Sequence, residues 1–266
     1  MNETVLLALA ATLGTWALTA LGAATVLFFR SPNRKIMNLF LGFAAGVMIA
    51  ASFWSLLEPA IARAEAREGL PAYIVATVGF LFGAFFMWLS DKIVTGARKR
   101  VSSKADADGS SVGRMTMLIL SITLHNIPEG LAVGVAFGVL GKDASPESIM
   151  GAFTIAIGIG LQNFPEGAAV SLPLRREGYS RKKSFYLGQA SGMVEPIAGV
   201  LGALLVVYVE AMLPLALSFA AGAMILVAVH ELIPECRQSM EDQPYFATMG
   251  IVIGFATMML LDVMLG

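Results

Sequence analysis

The feature that most constrains this chain is a set of charged and amide residues placed near the middle of apolar segments that are themselves long enough to cross a membrane. An apolar run of roughly 20 residues spans about 30 Å of hydrocarbon as a helix, and only a helix or a closed barrel satisfies its own backbone there. Eight such segments can be read, at roughly 4–29, 38–60, 72–95, 115–140, 149–173, 185–208, 214–236 and 244–265. The expected fold is therefore all-α: a polytopic membrane protein of eight transmembrane helices, forming a single domain over residues 1–266. Composition agrees, with 14% charged and 57% hydrophobic residues where a soluble domain carries about 25% charged. A formal net charge of -1, with the basic residues gathered in short connectors, argues against a nucleic-acid partner. The lipid bilayer is the expected surrounding.

Alternate connectors differ in charge. One set holds Arg30, Arg34 and Lys35, then Arg98, Lys99, Arg100, Lys104 and Arg114, then Arg175, Arg176, Arg181, Lys182 and Lys183, then Arg237; the other holds only Arg63, Arg67 and Lys142. The positive-inside rule assigns the first set to the cytoplasm and both termini to the outside. The first segment starts almost at Met1, is too long for a signal-peptide core and has no basic region before it, so it is expected to be retained. The stretch 97–114, with Ser102, Ser103, Asp106, Asp108, Gly109, Ser110 and Ser111, reads as a flexible cytoplasmic loop. Cys236 is the single cysteine, which excludes an intrachain disulfide and a thiolate cluster. Gly42 with Gly46 and Gly188 with Gly192 have the small-xxx-small spacing of close helix packing, within one chain or between two.

Charge at membrane depth is costly, so the intramembrane polar residues carry the functional information. The fourth segment contains His125-Asn126-Ile127-Pro128-Glu129-Gly130 and the fifth Gln162-Asn163-Phe164-Pro165-Glu166-Gly167. His125 and Glu129 share a helix face, as do Gln162 and Glu166, and the sixth segment adds Glu195. Three carboxylates facing lipid would be prohibitive, so these faces must look into a shared polar interior. With no Lys or Arg nearby at mid-span, a bound cation is the economical neutraliser. One imidazole, three carboxylates and several amide oxygens suit zinc, manganese, iron(II), nickel or cadmium rather than copper(I), and bridging carboxylates would allow two ions. Pro128, Pro165 and Pro196 each deny a hydrogen bond to the carbonyl four residues earlier, at Leu124, Leu161 and Gly192, which makes those carbonyls candidate ligands or hinges.

Further acids lie toward the ends of other segments: Glu58 and Asp262 at one side of the membrane, Asp91 with His230 and Glu231 at the other. That distribution suits a cation route. His230-Glu231 is not a zinc-protease motif, because Pro234 stands where the second histidine is required.

Taken in order, the paired proline motifs, Glu195-Pro196 and His230-Glu231-Leu232-Ile233-Pro234-Glu235 closely resemble the ZIP (Zrt/Irt-like) metal transporter family, especially its GufA-like branch. The resemblance spans essentially the whole chain. It implies a 3+2+3 helix bundle whose outer triplets are an inverted repeat, an echo visible in Glu58-Pro59 beside Glu195-Pro196. It further implies uptake of zinc and related divalent ions into the cytoplasm through a binuclear site. The ligands would be His125, Asn126, Glu129, Gln162, Asn163, Glu166 and Glu195, with Glu129 and Glu166 bridging. His230, Glu231 and Asp91 would form an inner release site, and Glu58 with Asp262 an outer entrance. Gln162 and Asn163 depart from the histidines or carboxylate found in many zinc-selective relatives, which points to a broader preference that includes manganese, iron(II) and cadmium. A bacterial inner-membrane location and a homodimer complete the expectation. An intramembrane two-metal enzyme or a non-transporting metal sensor are the alternatives, and the absence of a general base outside the ligand set weighs against the enzyme.

Overall fold

The computed structural model describes residues 3–29, 34–67, 69–108, 112–140, 144–208, 210–237 and 245–265. These residues fold into α1 (Glu3–Phe28), α2 (Arg34–Ala51), α3 (Glu58–Glu65), α4 (Ala72–Asp108), α5 (Val112–Gly138), α6 (Pro146–Arg176), α7 (Arg181–Ala190), α8 (Val194–Tyr208), α9 (Leu213–Val227), α10 (Ile233–Arg237) and α11 (Tyr245–Leu265). Short non-α turns fuse several of them, so that eight rods result. A π-helical turn, Ser52–Leu57, joins α2 to α3 as the second span; a 3-10 turn, Ser191–Met193, joins α7 to α8 as the sixth; a second π-helical turn, Ala228–Leu232, joins α9 to α10 as the seventh. Seven of the eight are long and apolar enough to cross a membrane on their described residues alone. The remaining one is α5, which carries the first polar motif.

Helix starts follow local chemistry. Ser145 caps α6 by accepting from the Ser148 N–H, with Pro146 at the first helical position, and Ser180 caps α7 by accepting from the Lys183 N–H. The boundaries read from the sequence fall within a few residues of these ends, with one exception. The third span continues as helix to Asp108, across much of the stretch whose polar composition reads as a loop. Ala97, Arg98, Lys99, Lys104 and Ala105 are good helix formers, and this propensity prevails over polarity there. Gly109, Ser110 and Ser111 of that stretch, and the topology markers Arg30 and Lys142, lie outside the described residues.

The irregularity expected at Gly192, four residues before Pro196, is present, whereas Pro128 and Pro165 act differently from the expectation. The α-helices run without interruption through Pro128 and through Pro165, while the irregular turns sit just before Glu58-Pro59, Glu195-Pro196 and Pro234. A proline removes one hydrogen bond and brings a ring clash, and in a packed helix the neighbours can hold the α geometry despite both. Hinge character therefore belongs to the second, sixth and seventh spans.

Four helix pairs dominate the packing: α1 with α6, α5 with α8, α2 with α11, and α4 with α9. Each is built on glycines that meet reciprocally. A Cβ on Gly22 would strike the Phe164 carbonyl and one on Gly167 the Thr19 carbonyl; Gly134 faces Gly199, Gly83 faces Phe219 and Gly222 faces Phe80. Gly42 and Gly46 lie on Ala247 and Ile251, while Gly250 and Gly254 lie on Leu39 and Phe43. Between helices in lipid there is no hydrophobic drive, so such backbone approach supplies the attraction. The Gly42/Gly46 and Gly188/Gly192 faces are thereby occupied within the chain, the latter against Ser171, Ala23, Thr19 and Trp16.

The rods divide into two groups. The first, fourth, fifth and sixth spans pack closely on one another, as do the second, third, seventh and eighth, with α2 on α6 and α5 on α4 and α9 joining the groups. Exchanging spans one to three with six to eight, and four with five, maps each dominant pair onto another dominant pair. This is the packing of a 3+2+3 repeat. The same exchange maps the π-helical turn of the second span onto that of the seventh, so Glu58-Pro59 corresponds structurally to Ile233-Pro234 rather than to Glu195-Pro196. Large apolar side chains such as Leu21, Phe28, Leu81, Phe82, Ile197 and Val263 are exposed on the outside, as a lipid-facing surface requires.

Replacing Gly46 by alanine places a Cβ against the Ile251 carbonyl and 2.7 Å from the Phe255 nitrogen. The expected result is a loss of about 1–3 kcal/mol of stability from overpacking, read as a lowered unfolding temperature of the detergent-solubilised protein.

Candidate functional site

The two polar motifs face one another across the interior of the first helix group. Gly130, which closes the first motif, lies so near α8 that a Cβ there would stand 2.5 Å from the Glu195 carbonyl oxygen. Gly167, which closes the second, does the same against α1 at Thr19. The glycines thus bring the sixth and first spans to the polar residues one turn away.

Glu129, Gln162, Asn163 and Glu195 are fully buried, and Asn126, His125 and Glu166 nearly so. Gln162 donates from Nε2 to Glu129 Oε1 at 2.7 Å. Asn163 donates from Nδ2 to Glu195 Oε2 at 2.8 Å and to the Thr15 carbonyl at 3.3 Å. Asn126 donates from Nδ2 to the Ser191 carbonyl at 3.0 Å, inside the 3-10 turn of the sixth span. Each amide therefore uses its nitrogen to brace a carboxylate or a backbone turn, which turns its oxygen elsewhere. Four buried oxygens in the motifs have no hydrogen-bond partner: Asn126 Oδ1, Glu129 Oε2, Gln162 Oε1 and Asn163 Oδ1. Unpaired acceptors cost about 1–3 kcal/mol each, and a cation is the ligand that satisfies several oxygens at once without needing any of them to donate.

Glu166, Glu129 and Glu195 lie within electrostatic reach of one another. Even so, among the described residues no three His, Cys, Asp or Glu side chains converge into a ready chelate. The oxygen-rich character comes from amides as much as from acids.

His125 reaches the seventh span. Its Nε2 lies 2.7 Å from Glu231 Oε1, on the π-helical turn of the seventh span, and so it joins the first helix group to the second. His230 Nε2 stands 3.9 Å from Asp91 Oδ2, with the histidine largely exposed. At the other end of the molecule, Glu58 and Asp262 line one cavity of about 630 Å³ together with Trp54, Ser55 and Arg63. Ser55 donates to Asp262 Oδ1 at 2.6 Å, while the buried Oδ2 has no partner.

Thr15 and Thr19 belong to the site although they lie in neither polar motif; both are buried, and their hydroxyls donate to Glu195 Oε2 at 2.5 Å and to Oε1 at 3.4 Å. A signal was present: Thr12, Thr15 and Thr19 follow the three-and-four spacing of one helix face.

Gln162 is the only hydrogen-bond donor to Glu129 among the described residues. Gln162→Met is expected to lower the stability of the ion-free protein by about 1–3 kcal/mol through loss of that buried hydrogen bond, and divalent cation should restore part of it by mass action. Thermal unfolding with and without added zinc checks this.

Comparison with known proteins is consistent along the whole chain. The family model described as ZIP zinc transporter matches residues 3–114 and 97–262. The chain is 41% identical to zinc transporter ZIP11 of Xenopus tropicalis, over 98% of this chain and 98% of that protein. It is 34% identical to zinc transporter GufA of Myxococcus xanthus, over 93% and 94% respectively, and 35% identical to zinc transporter ZIPB of Bordetella bronchiseptica, over 94% and 79%.

Proposed function

The chain belongs to the ZIP zinc transporter family, and from that premise we propose that it moves zinc and related divalent ions into the cytoplasm through the polar cluster of the fourth, fifth and sixth spans. It is an integral membrane transporter of divalent metal, zinc among them, and not an enzyme. The observation that carries the assignment of the site is the group of four buried, unpartnered oxygens on Asn126, Glu129, Gln162 and Asn163. A mixed oxygen and nitrogen set without thiolate suits zinc, cadmium, manganese or iron(II).

In this reading His125, Asn126, Glu129, Gln162, Asn163, Glu166 and Glu195 bind up to two ions, with Glu129 and Glu166 bridging. The electrostatic proximity of the three carboxylates supports two positions, since each ion relieves repulsion among them. Ions enter from outside by way of the cavity at Glu58 and Asp262, and leave past Glu231, His230 and Asp91. The His125–Glu231 contact supports this exit, because it places an acid of the second helix group beside a ligand of the first. Every proposed ligand lies on one helix group, and every outlying acid on the other. Rocking of one group against the other would therefore expose the same site to either side, which fits alternating access about a midplane site.

The basic connectors support external termini and a cytoplasmic face at 97–114, within one domain over residues 1–266 and an inner-membrane setting in lipid. A homodimer would have to use a face other than the Gly42/Gly46 and Gly188/Gly192 surfaces, which the chain itself covers.

Flux of radioactive zinc or cadmium into proteoliposomes tests the assignment. Glu129→Ala and Glu166→Ala should each reduce uptake by at least about tenfold, since loss of even an outer-shell partner costs about 10–100-fold in metal affinity. Wild-type flux in both variants would refute the site; stoichiometric binding with no flux would refute transport through it. In the same vesicles manganese, iron(II) and cadmium should compete with zinc, and Gln162→His should shift the competition in favour of zinc.

A further inference from the structure

Glu129 and Glu195 are both fully buried, yet their surroundings are opposite. Glu129 has one donor and one bare oxygen, whereas both oxygens of Glu195 are engaged. Oε2 of Glu195 accepts from Thr15 at 2.5 Å and from Asn163 at 2.8 Å, and Oε1 accepts from Thr19 at 3.4 Å. Hydrogen bonds to an ionised group are the strong ones. Three of them give Glu195 what an ion would otherwise supply.

Each threonine also has a second acceptor within reach. A hydroxyl carries one hydrogen and can donate to one acceptor at a time. Thr15 Oγ1 lies 3.0 Å from the Thr12 carbonyl, and Thr19 Oγ1 lies 3.4 Å from the Thr15 carbonyl. Thr12 shows the alternative already realised, donating to the Ala8 carbonyl at 2.7 Å rather than to any side chain. Both hydroxyls can thus turn from Glu195 to these carbonyls by rotation of the hydrogen about the Cβ–Oγ1 bond, without becoming unpaired. The first span is fixed for this role. Trp16 donates from Nε1 to the Gln189 carbonyl at 2.9 Å, and Gly192 admits α1 so closely that a Cβ there would stand 3.0 Å from Thr19 Oγ1 and 3.1 Å from Glu195 Oε1.

We propose that Thr15 and Thr19 are positioning residues that take the place of an ion at Glu195 in the empty transporter and withdraw to the carbonyls of their own helix when an ion arrives. The inference rests on the assignment of Glu195 to the metal site and says how that ligand is controlled. Its consequence is an unequal site. The Glu129 half, with bare oxygens, binds first and tightly; the Glu195 half binds only by displacing hydroxyls and therefore more weakly, and it releases its ion readily because the hydroxyls return.

The test is zinc titration by calorimetry on the full-length protein in nanodiscs, with uptake kinetics in proteoliposomes. Wild type should show a tight and a weaker zinc step. T15V/T19V, which keeps side-chain volume but removes both donors, should tighten the weaker step about tenfold and lower both KM and kcat of uptake, because release slows. T15S/T19S should behave as wild type. Should the double variant fold poorly, Thr15→Val alone carries the test with a smaller shift in the same direction. An unchanged or weakened second step in a folded valine variant overturns the inference, as does a serine variant that behaves like valine. Glu195→Gln separates the two readings: if it leaves zinc binding and uptake intact, the site assignment itself fails, whereas if it impairs them while the threonine variants change nothing, only the threonine role fails.

Discussion

A carboxyl group at the middle of a membrane must be given donors, a cation or a proton, and the rest of this molecule is arranged around how few donors it provides. Against Glu129, Glu166 and Glu195 the described interior sets no lysine or arginine, only the amides of Gln162 and Asn163 and the hydroxyls of Thr15 and Thr19. Those donors are spent unevenly. Glu195 receives three, Glu129 receives one, and the amide oxygens of Asn126, Gln162 and Asn163 are buried without partners. A structural polar network would be closed, because a half-satisfied one is worse than an apolar core. Incompleteness here is the observation behind the proposed metal site, which a bound ion would complete.

The glycines follow from the same need. Polar side chains from four spans can reach one point only if the helices carrying them approach to backbone contact, and Gly22, Gly130, Gly134 and Gly167 permit this. The motif glycines Gly130 and Gly167 therefore work through geometry and not chemistry: they seat α8 and α1 against the two motif helices. Equivalent glycines at Gly46, Gly254, Gly83 and Gly222 hold the second helix group together. The result is two internally tight groups with a thinner boundary, crossed at membrane depth by the His125–Glu231 contact. Irregular turns lie in the second, sixth and seventh spans, next to this boundary or to the site itself.

Most of the fold was legible because a bilayer demands a length and an apolarity that few other structures share. The two motifs were legible because charge at depth has few harmless explanations. What escaped the sequence depends on choices between near-equal local options. The shared helix face of Thr12, Thr15 and Thr19 did not mark two of them as site residues, since a helical threonine ordinarily bonds to its own backbone, as Thr12 does, and only the nearby carboxylate decides otherwise. The unbroken helices at Pro128 and Pro165, against the π-helical turns at Pro59 and Pro234, reflect packing from neighbours that proline alone does not specify. The extension of α4 to Asp108 set helix propensity against polarity, and no periodicity arbitrated between them.

Gln162 and Asn163 gain meaning from this. Read as ligands alone, they are weak substitutes for histidine or carboxylate. In the structure each performs two tasks, bracing Glu129 or Glu195 with its nitrogen while offering its oxygen to the interior. A carboxyl group at position 163 would add a fourth acid to the cluster and could donate to Glu195 only by holding a proton, whereas the amide donates and stays neutral. Asn163 therefore makes the empty cluster tolerable, which the proposed alternating access would require on every return. Under the proposed function, the amides that would loosen the grip on zinc are the same groups that would let it leave.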